Sequence, residues 1–144
     1  MGKRVPHITP AELEILKVLW KLGSGTVRQT LEALPAGEQD LPAYTTVMTL
    51  MKQLAEKDAL RVDRTRQPYV YTPAVRREQV LGHRVTQFLQ NVYDGQAREL
   101  VLHLVEEAEL SAEDLRRIEA KIHARELAEK ARRGRRGPRA EGTA

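Results

Sequence analysis

Between Tyr44 and Leu54 the chain reads YTTVMTLMKQL, and its side chains sort by chemistry at helical spacing. Val47, Leu50, Met51 and Leu54 fall at i, i+3, i+4 and i+7, one apolar stripe of a helix. Thr45, Thr46, Thr49, Lys52 and Gln53 project elsewhere. A threonine hydroxyl bonds to a base edge or a phosphate, and its methyl group meets that of thymine. Lys52 has the reach for phosphate or guanine. A helix with such a ridge suits the major groove, where three or four side chains read base edges. A plain solvated helix shows the same ridge, so its neighbours must decide between the two.

Those neighbours are basic. Arg61, Arg64 and Arg66 cluster where two short strands and their connecting loop are expected, in reach of flanking backbone or minor groove if the hairpin acts as a wing. Charge on a two-stranded edge also guards against aggregation, which is the plainer explanation. Arg28, near the start of an earlier helix, is a candidate phosphate contact, as is the amide row at that helix's N-terminus.

Other chemistries lack their residues. The chain has no Cys, which removes disulfides, thiolate metal sites and thiol catalysis. His7, His83, His103 and His123 are scattered, no HExxH pair exists, and Glu106 and Glu107 are adjacent and so face apart on a helix. The GSG at 23–25 lacks the lysine of a phosphate loop. No enzyme activity, metal or cofactor is expected.

The elements that must position the ridge are legible. Thr9, Pro10 and Glu12 have the spacing of a capping box with proline at the first helical position, and Ile8 with Leu13 that of a hydrophobic staple. Leu13, Leu16, Leu19 and Trp20 supply a buried stripe before GSG ends the helix. Thr26 and Gln29 open a short second helix with Val27, Thr30, Leu31 and Leu34 inward. The ridge helix follows a loop, starts without a good cap, and ends near Asp58. Leu60 and Val62 alternate with Arg61 and Asp63 in one strand, and YVYTP makes the next, with Tyr69 and Tyr71 on one face.

From Ala74 the period is helical. Leu81, Val85, Phe88, Leu89 and Val92 line one helix, Leu100, Val101, Leu104 and Val105 a second, and Leu115, Ile118 and Ile122 a third that Ser111 and Asp114 can cap. Three charged helices with single stripes make a poor core alone. Residues 74–128 therefore read as a dimerisation unit, with folding back onto the head as the alternative. Residues 1–73 form the head, and 129–144 a basic tail expected to be disordered. Lys and Arg number 10 against 8 Asp and Glu in 1–73, 8 against 10 in 74–128, and 6 against 2 thereafter. Both ends, but not the middle, suit a polyanion. No apolar run spans a bilayer and the N-terminus lacks a secretory pattern, so no membrane insertion and a cytoplasmic location are expected.

ITPAELEILKVLW, YTTVMTLMKQLAEKDAL and the YVYTPAV after the basic loop resemble the penicillinase-repressor family, winged-helix regulators of beta-lactamase and methicillin-resistance genes and their relatives. The likeness spans roughly residues 7–126, the C-terminal half matching only in pattern through ELVLHLVEEAELSAEDLRRIEAKI. It implies a mainly α fold with a small β wing: an N-terminal winged helix-turn-helix, then a three-helix dimerisation unit. It also implies a homodimeric repressor on an inverted-repeat operator in double-stranded DNA, one head per half-site. Tyr44, Thr45, Thr46, Thr49 and Lys52 are then the DNA-facing residues of a recognition helix at about 43–56, with Arg64 and Arg66 near the tip of a wing at about 60–73. Induction by proteolysis is implied too, through a membrane sensor with a zinc protease domain that cuts the dimerisation region. Two features depart from the family. Staphylococcal members are cut at an Asn-Phe bond, which this chain lacks, and copper-responsive relatives carry cysteine pairs, also lacking here. The rival reading is a winged module that docks a protein and does not read DNA.

Overall fold

The computed structural model describes residues 5–35 and 40–136. The order is α1 (Pro10–Leu22), α2 (Val27–Ala33), α3 (Tyr44–Glu56), β1 (Leu60–Asp63), β2 (Val70–Pro73), α4 (Arg77–Tyr93), α5 (Ala97–Glu107) and α6 (Ala112–Arg136). The fold is mainly helical with a small β-hairpin, as a winged helix-turn-helix followed by a helical region requires.

Local chemistry sets the helix ends. In α1 the Thr9 hydroxyl accepts from the Glu12 amide at 3.2 Å and the Glu12 carboxylate accepts from the Thr9 amide at 2.9 Å. Thr26 with Gln29 repeats the exchange at α2, and Ser111 with Asp114 at α6. Gly23 ends α1 at φ +87°, a backbone region disfavoured for residues with a Cβ, while its amide reaches Leu19 O. Asp58, at φ 63°, turns the chain out of α3. The start of α3 has no side-chain cap, in keeping with Ala43 at that position.

Two compact units result, residues 1–91 and 92–144. In the first, Ile15, Leu16 and Leu19 of α1 pack with Val27, with Val47, Met51 and Leu54 of α3, and with Leu60 and Tyr71 of the hairpin. The strands pair antiparallel in the register Leu60 to Pro73 and Val62 to Tyr71. A hairpin alone is marginal in water. This one is tied to the turn between α1 and α2, where Gly25 and Tyr71 exchange backbone hydrogen bonds at 2.8 and 2.9 Å. A Cβ at Gly25 would sit 3.4 Å from Leu19 Cδ2, at the near edge of ordinary van der Waals contact. Tyr69 lies just before β2 and is exposed, whereas Tyr71 within the strand is buried, though both line the same grooves beside the hairpin.

The packing of the head continues past residue 73. Val80 of α4 is buried in its core, Trp20 Nε1 donates to Val75 O at 3.0 Å, and Arg84 donates to Ile8 O at 3.1 Å. The first turns of α4 thus belong to the head. In residues 92–144 the apolar side chains stay largely uncovered. Val101, Leu104, Leu115, Ile118 and Ile122 are exposed, Leu100 is half-buried, and α5 contains no buried residue. Val92 is exposed as well, as are Val85 and Phe88 on α4, with Leu81 and Leu89 half-buried. Helix α6 runs on to Arg136, so residues 129–136 are helical where a disordered tail was expected. The run EKARR is rich in strong helix formers, which extends the helix without an apolar face. The rest of that tail lies outside the described residues.

One buried charge sits at the base of the head. The Glu12 side chain is 1% exposed, and its Oε1 accepts from Lys57 Nζ at 2.6 Å while Lys57 also donates to His7 O at 2.9 Å. Burial alone would raise the carboxyl pKa, but the hydrogen bonds from Lys57 and Thr9 and the Lys57 charge together hold it below the ordinary 4.5. A depressed carboxyl contributes stability above its ordinary pKa, and that contribution disappears as pH falls through the lower folded value. Lys57→Met should therefore cost about 2–4 kcal/mol at neutral pH, since a buried carboxylate is left without its cation. The cost should shrink as pH falls from the ordinary 4.5 through the lower folded value, where the buried carboxyl protonates. Adding Glu12→Gln, which keeps the cap acceptor, should restore much of the loss at neutral pH. Urea denaturation at both pH values measures each effect.

Candidate nucleic-acid interface

The rotation of α3 is fixed from below. Val47, Met51 and Leu54 are fully buried and Leu50 half-buried, so the opposite side must face out. Thr45, Thr49 and Lys52, at i, i+4 and i+7, form the crest opposite that stripe, and all are exposed. Thr49 Oγ1 donates to Thr45 O at 2.9 Å, which leaves its oxygen lone pairs outward as acceptors. Glu56 continues the crest at its C-terminal end. That acid repels phosphate, so the N-terminal turns are the part of the helix able to approach a duplex closely.

The remaining α3 residues divide between two flanks. Thr46 is exposed but lines a cleft of about 440 Å³ with Leu50, Leu41 and Pro42, on the side of α1. Tyr44 and Met48 flank the hairpin side instead. Lys52, Arg61 and Arg64 line one groove between α3 and the hairpin, about 610 Å³, together with Met48, Tyr69 and Tyr71. Three cations, one from α3 and two from the hairpin, thereby meet in one channel. Arg28 and Tyr44 line an adjoining groove of about 730 Å³ that shares Met48, Tyr69 and Tyr71 with the first. The Arg28 guanidinium lies 5.2 Å from the centroid of the Tyr44 ring, and that of Arg64 6.0 Å from Tyr69. Aromatic faces thus steady these two arginines at the surface.

The hairpin turn is ordered by its own acid. Asp63 accepts from Thr65 Oγ1 at 2.5 Å and from the Thr65 amide at 3.0 Å, and these bonds hold its carboxyl below the ordinary range. The Gln67–Pro68 peptide that follows is cis. Arg66 is exposed in the turn but lines neither groove. Burial pushes the Tyr71 phenol up, so it stays neutral and serves as groove floor.

The sequence named the threonines, Lys52 and the arginines as candidates; the structure adds Met48 and Tyr69 to the lining of both grooves. Met48 sits one residue outside the apolar stripe and reads as a polar-face misfit; the signal was an apolar residue beside Tyr44 on the edge of the ridge. The amide row proposed at α2 is partly used by its own cap, since the Thr26 and Gln29 amides both bond to side chains. Among the described residues, no three His, Asp or Glu side chains gather as a metal site would need, and no helix is long and apolar enough to cross a membrane.

The sequence profile of the family described as penicillinase repressor matches residues 8–124. The penicillinase repressor of Bacillus licheniformis is 30% identical over 113 residues, 78% of this chain and 87% of that protein. The transcriptional regulator BlaI of Mycobacterium tuberculosis is 33% identical over 124 residues, 84% of this chain and 88% of its own. Among solved structures, the monomeric form of the Bacillus licheniformis BlaI in complex with the blaP half-operator is 28% identical, covering 54% of this chain and 92% of that one, at a TM-score of 0.44. With a family match across most of its length and two curated relatives aligned over most of theirs, this chain belongs to the penicillinase-repressor family of winged-helix transcriptional regulators.

Proposed function

We propose that the chain is a homodimeric transcriptional repressor that reads an inverted-repeat operator, one head per half-site. The observation that carries this reading is the outward crest of Thr45, Thr49 and Lys52 beside a groove where Lys52, Arg61 and Arg64 converge. Such a helix offers hydroxyls and a cation to base edges while the flanking arginines take phosphates. Arg28, Tyr44, Thr46 and Arg66 complete the contact set.

Self-association is supported by what the single chain leaves uncovered. Leu104, Leu115 and Ile122 form apolar stripes that water should not face. A second copy offers the same stripes in a symmetric arrangement. Two linked heads then act nearly intramolecularly on a symmetric site, and affinity rises without any new base contact. Relief follows from whatever uncouples the heads. Proteolysis within the helical region, by a membrane sensor with a zinc protease domain, is the route that fits the family.

Substituting Thr46→Ala or Lys52→Ala should weaken operator binding by about tenfold each, on the scale of one lost base or phosphate contact, while sedimentation still shows a dimer. Affinity that is unchanged in both variants would misplace the reading surface. Weak wild-type binding that ignores salt would instead favour the protein-docking module.

A fragment of residues 1–91, the first compact unit, should sediment as a monomer and bind a full operator no better than a half-operator. If that fragment dimerises as tightly as the whole chain, α5 and α6 are not what joins the two copies.

A further inference from the structure

The end of α6 has no packing reason to be there. Leu115, Ile118 and Ile122 keep an apolar stripe at i, i+3 and i+7, but the positions that continue it are Arg125, Glu129 and Arg132. The family match stops at residue 124, yet the helix runs to Arg136. Beyond Glu129, whose carboxylate faces Arg125 Nε at 3.7 Å, come Lys130, Arg132, Arg133 and Arg135, all exposed. None of these four has an ion-pair partner among the described residues.

We propose that this terminal stretch of α6 is a second, sequence-blind DNA contact, a cationic helical arm that binds the phosphate backbone of duplex DNA. Cations near a helix C-terminus do complement its dipole, but that effect fades within the last turn. Here Lys130 with Arg133, and Arg132 with Arg135, are like-charged neighbours at i, i+3, an arrangement that disfavours an isolated helix. A polyanion converts that repulsion into attraction. At about 100° per residue the four side chains project to all sides of the helix over about 7.5 Å of its length. Whichever side meets a duplex, two or three cations reach phosphate, and no base is specified. The inference rests on the reading of the chain as a DNA-binding repressor, because that reading brings a duplex to the protein.

The test uses the full-length chain with Lys130, Arg132, Arg133 and Arg135 all changed to Gln, a residue that keeps helix propensity. Fluorescence anisotropy follows binding to a random-sequence duplex and to an operator recovered by footprinting, from 50 to 200 mM salt. We expect affinity for both duplexes to fall by about tenfold, and the slope of log affinity against log salt to become shallower by about 2. Their ratio should be unchanged, with helicity preserved by circular dichroism. An unaltered slope and affinity overturns the arm, as does a loss confined to the operator or an effect on anionic vesicles or polyglutamate alone. If the arm variant behaves as expected but no palindrome is preferred by the wild type, the operator reading fails and the arm stands. If Thr46→Ala and Lys52→Ala abolish operator preference while the arm variant changes nothing, the arm fails and the operator reading stands.

Discussion

The burial of Val47, Met51 and Leu54 fixes the rotation of α3, and every functional statement about the head depends on that rotation. A helix turned by one residue would carry Met48 inward and bring Val47 toward solvent, losing on the order of 2 kcal/mol for each large apolar side chain exposed. The crest is therefore selected by what lies beneath it. Thr45, Thr49 and Lys52 contribute little to folding and are left to chemistry. The missing side-chain cap at the start of α3 is tolerable because the buried stripe holds the helix in place.

The same core positions the hairpin. Leu60 and Tyr71 enter the cluster from β1 and β2, and the backbone exchange between Gly25 and Tyr71 ties the hairpin to the turn ahead of α2. Arg28, Lys52, Arg61 and Arg64 come from α2, α3 and the hairpin, and packing sets them around two grooves that share Met48, Tyr69 and Tyr71. Beneath them, Glu12 serves twice. It closes the capping box of α1 and, through Lys57, ties the end of α3 to that helix and to the backbone of His7. Its Oε2 is buried with no hydrogen-bond partner among the described residues, so the charge leans on the Lys57 bond, and loss of that cation is costly.

Much of this was legible because its causes are local. Thr9 with Glu12, Thr26 with Gln29 and Ser111 with Asp114 lie three residues apart, and each pair forms the bonds its spacing implies. The stripe of α3 and the exposure of its threonines follow from helical period alone. What escaped is long-range. Glu12 and Lys57 are separated by 45 positions, and a capping glutamate gives no sign that its second role is to be buried. The burial of Val80 and the reach of Arg84 to Ile8 O depend on how α4 meets the head, so residue 73 looked like an end where the packing continues. The helical course of residues 129–136 was masked by composition. Arginine and glycine suggested disorder, but local propensity prevailed over the lack of an apolar face.

On the proposed reading, the helical region and the head would divide the work of recognition. A single head would place a few side chains at base edges and a handful of cations near phosphates, a small interface by the standard of specific DNA complexes. Selectivity on a genome needs more contact than that, and coupling two identical heads would supply it without enlarging either. The exposed stripes of α5 and α6 suit such coupling: they are apolar enough to associate and too narrow to form a core within one chain. In the proposed dimer the coupling would reside outside α3, so its loss would leave the proposed reading surface intact while the affinity for a symmetric site fell steeply. On that reading, a switch acting on the helical region would change occupancy without touching sequence preference.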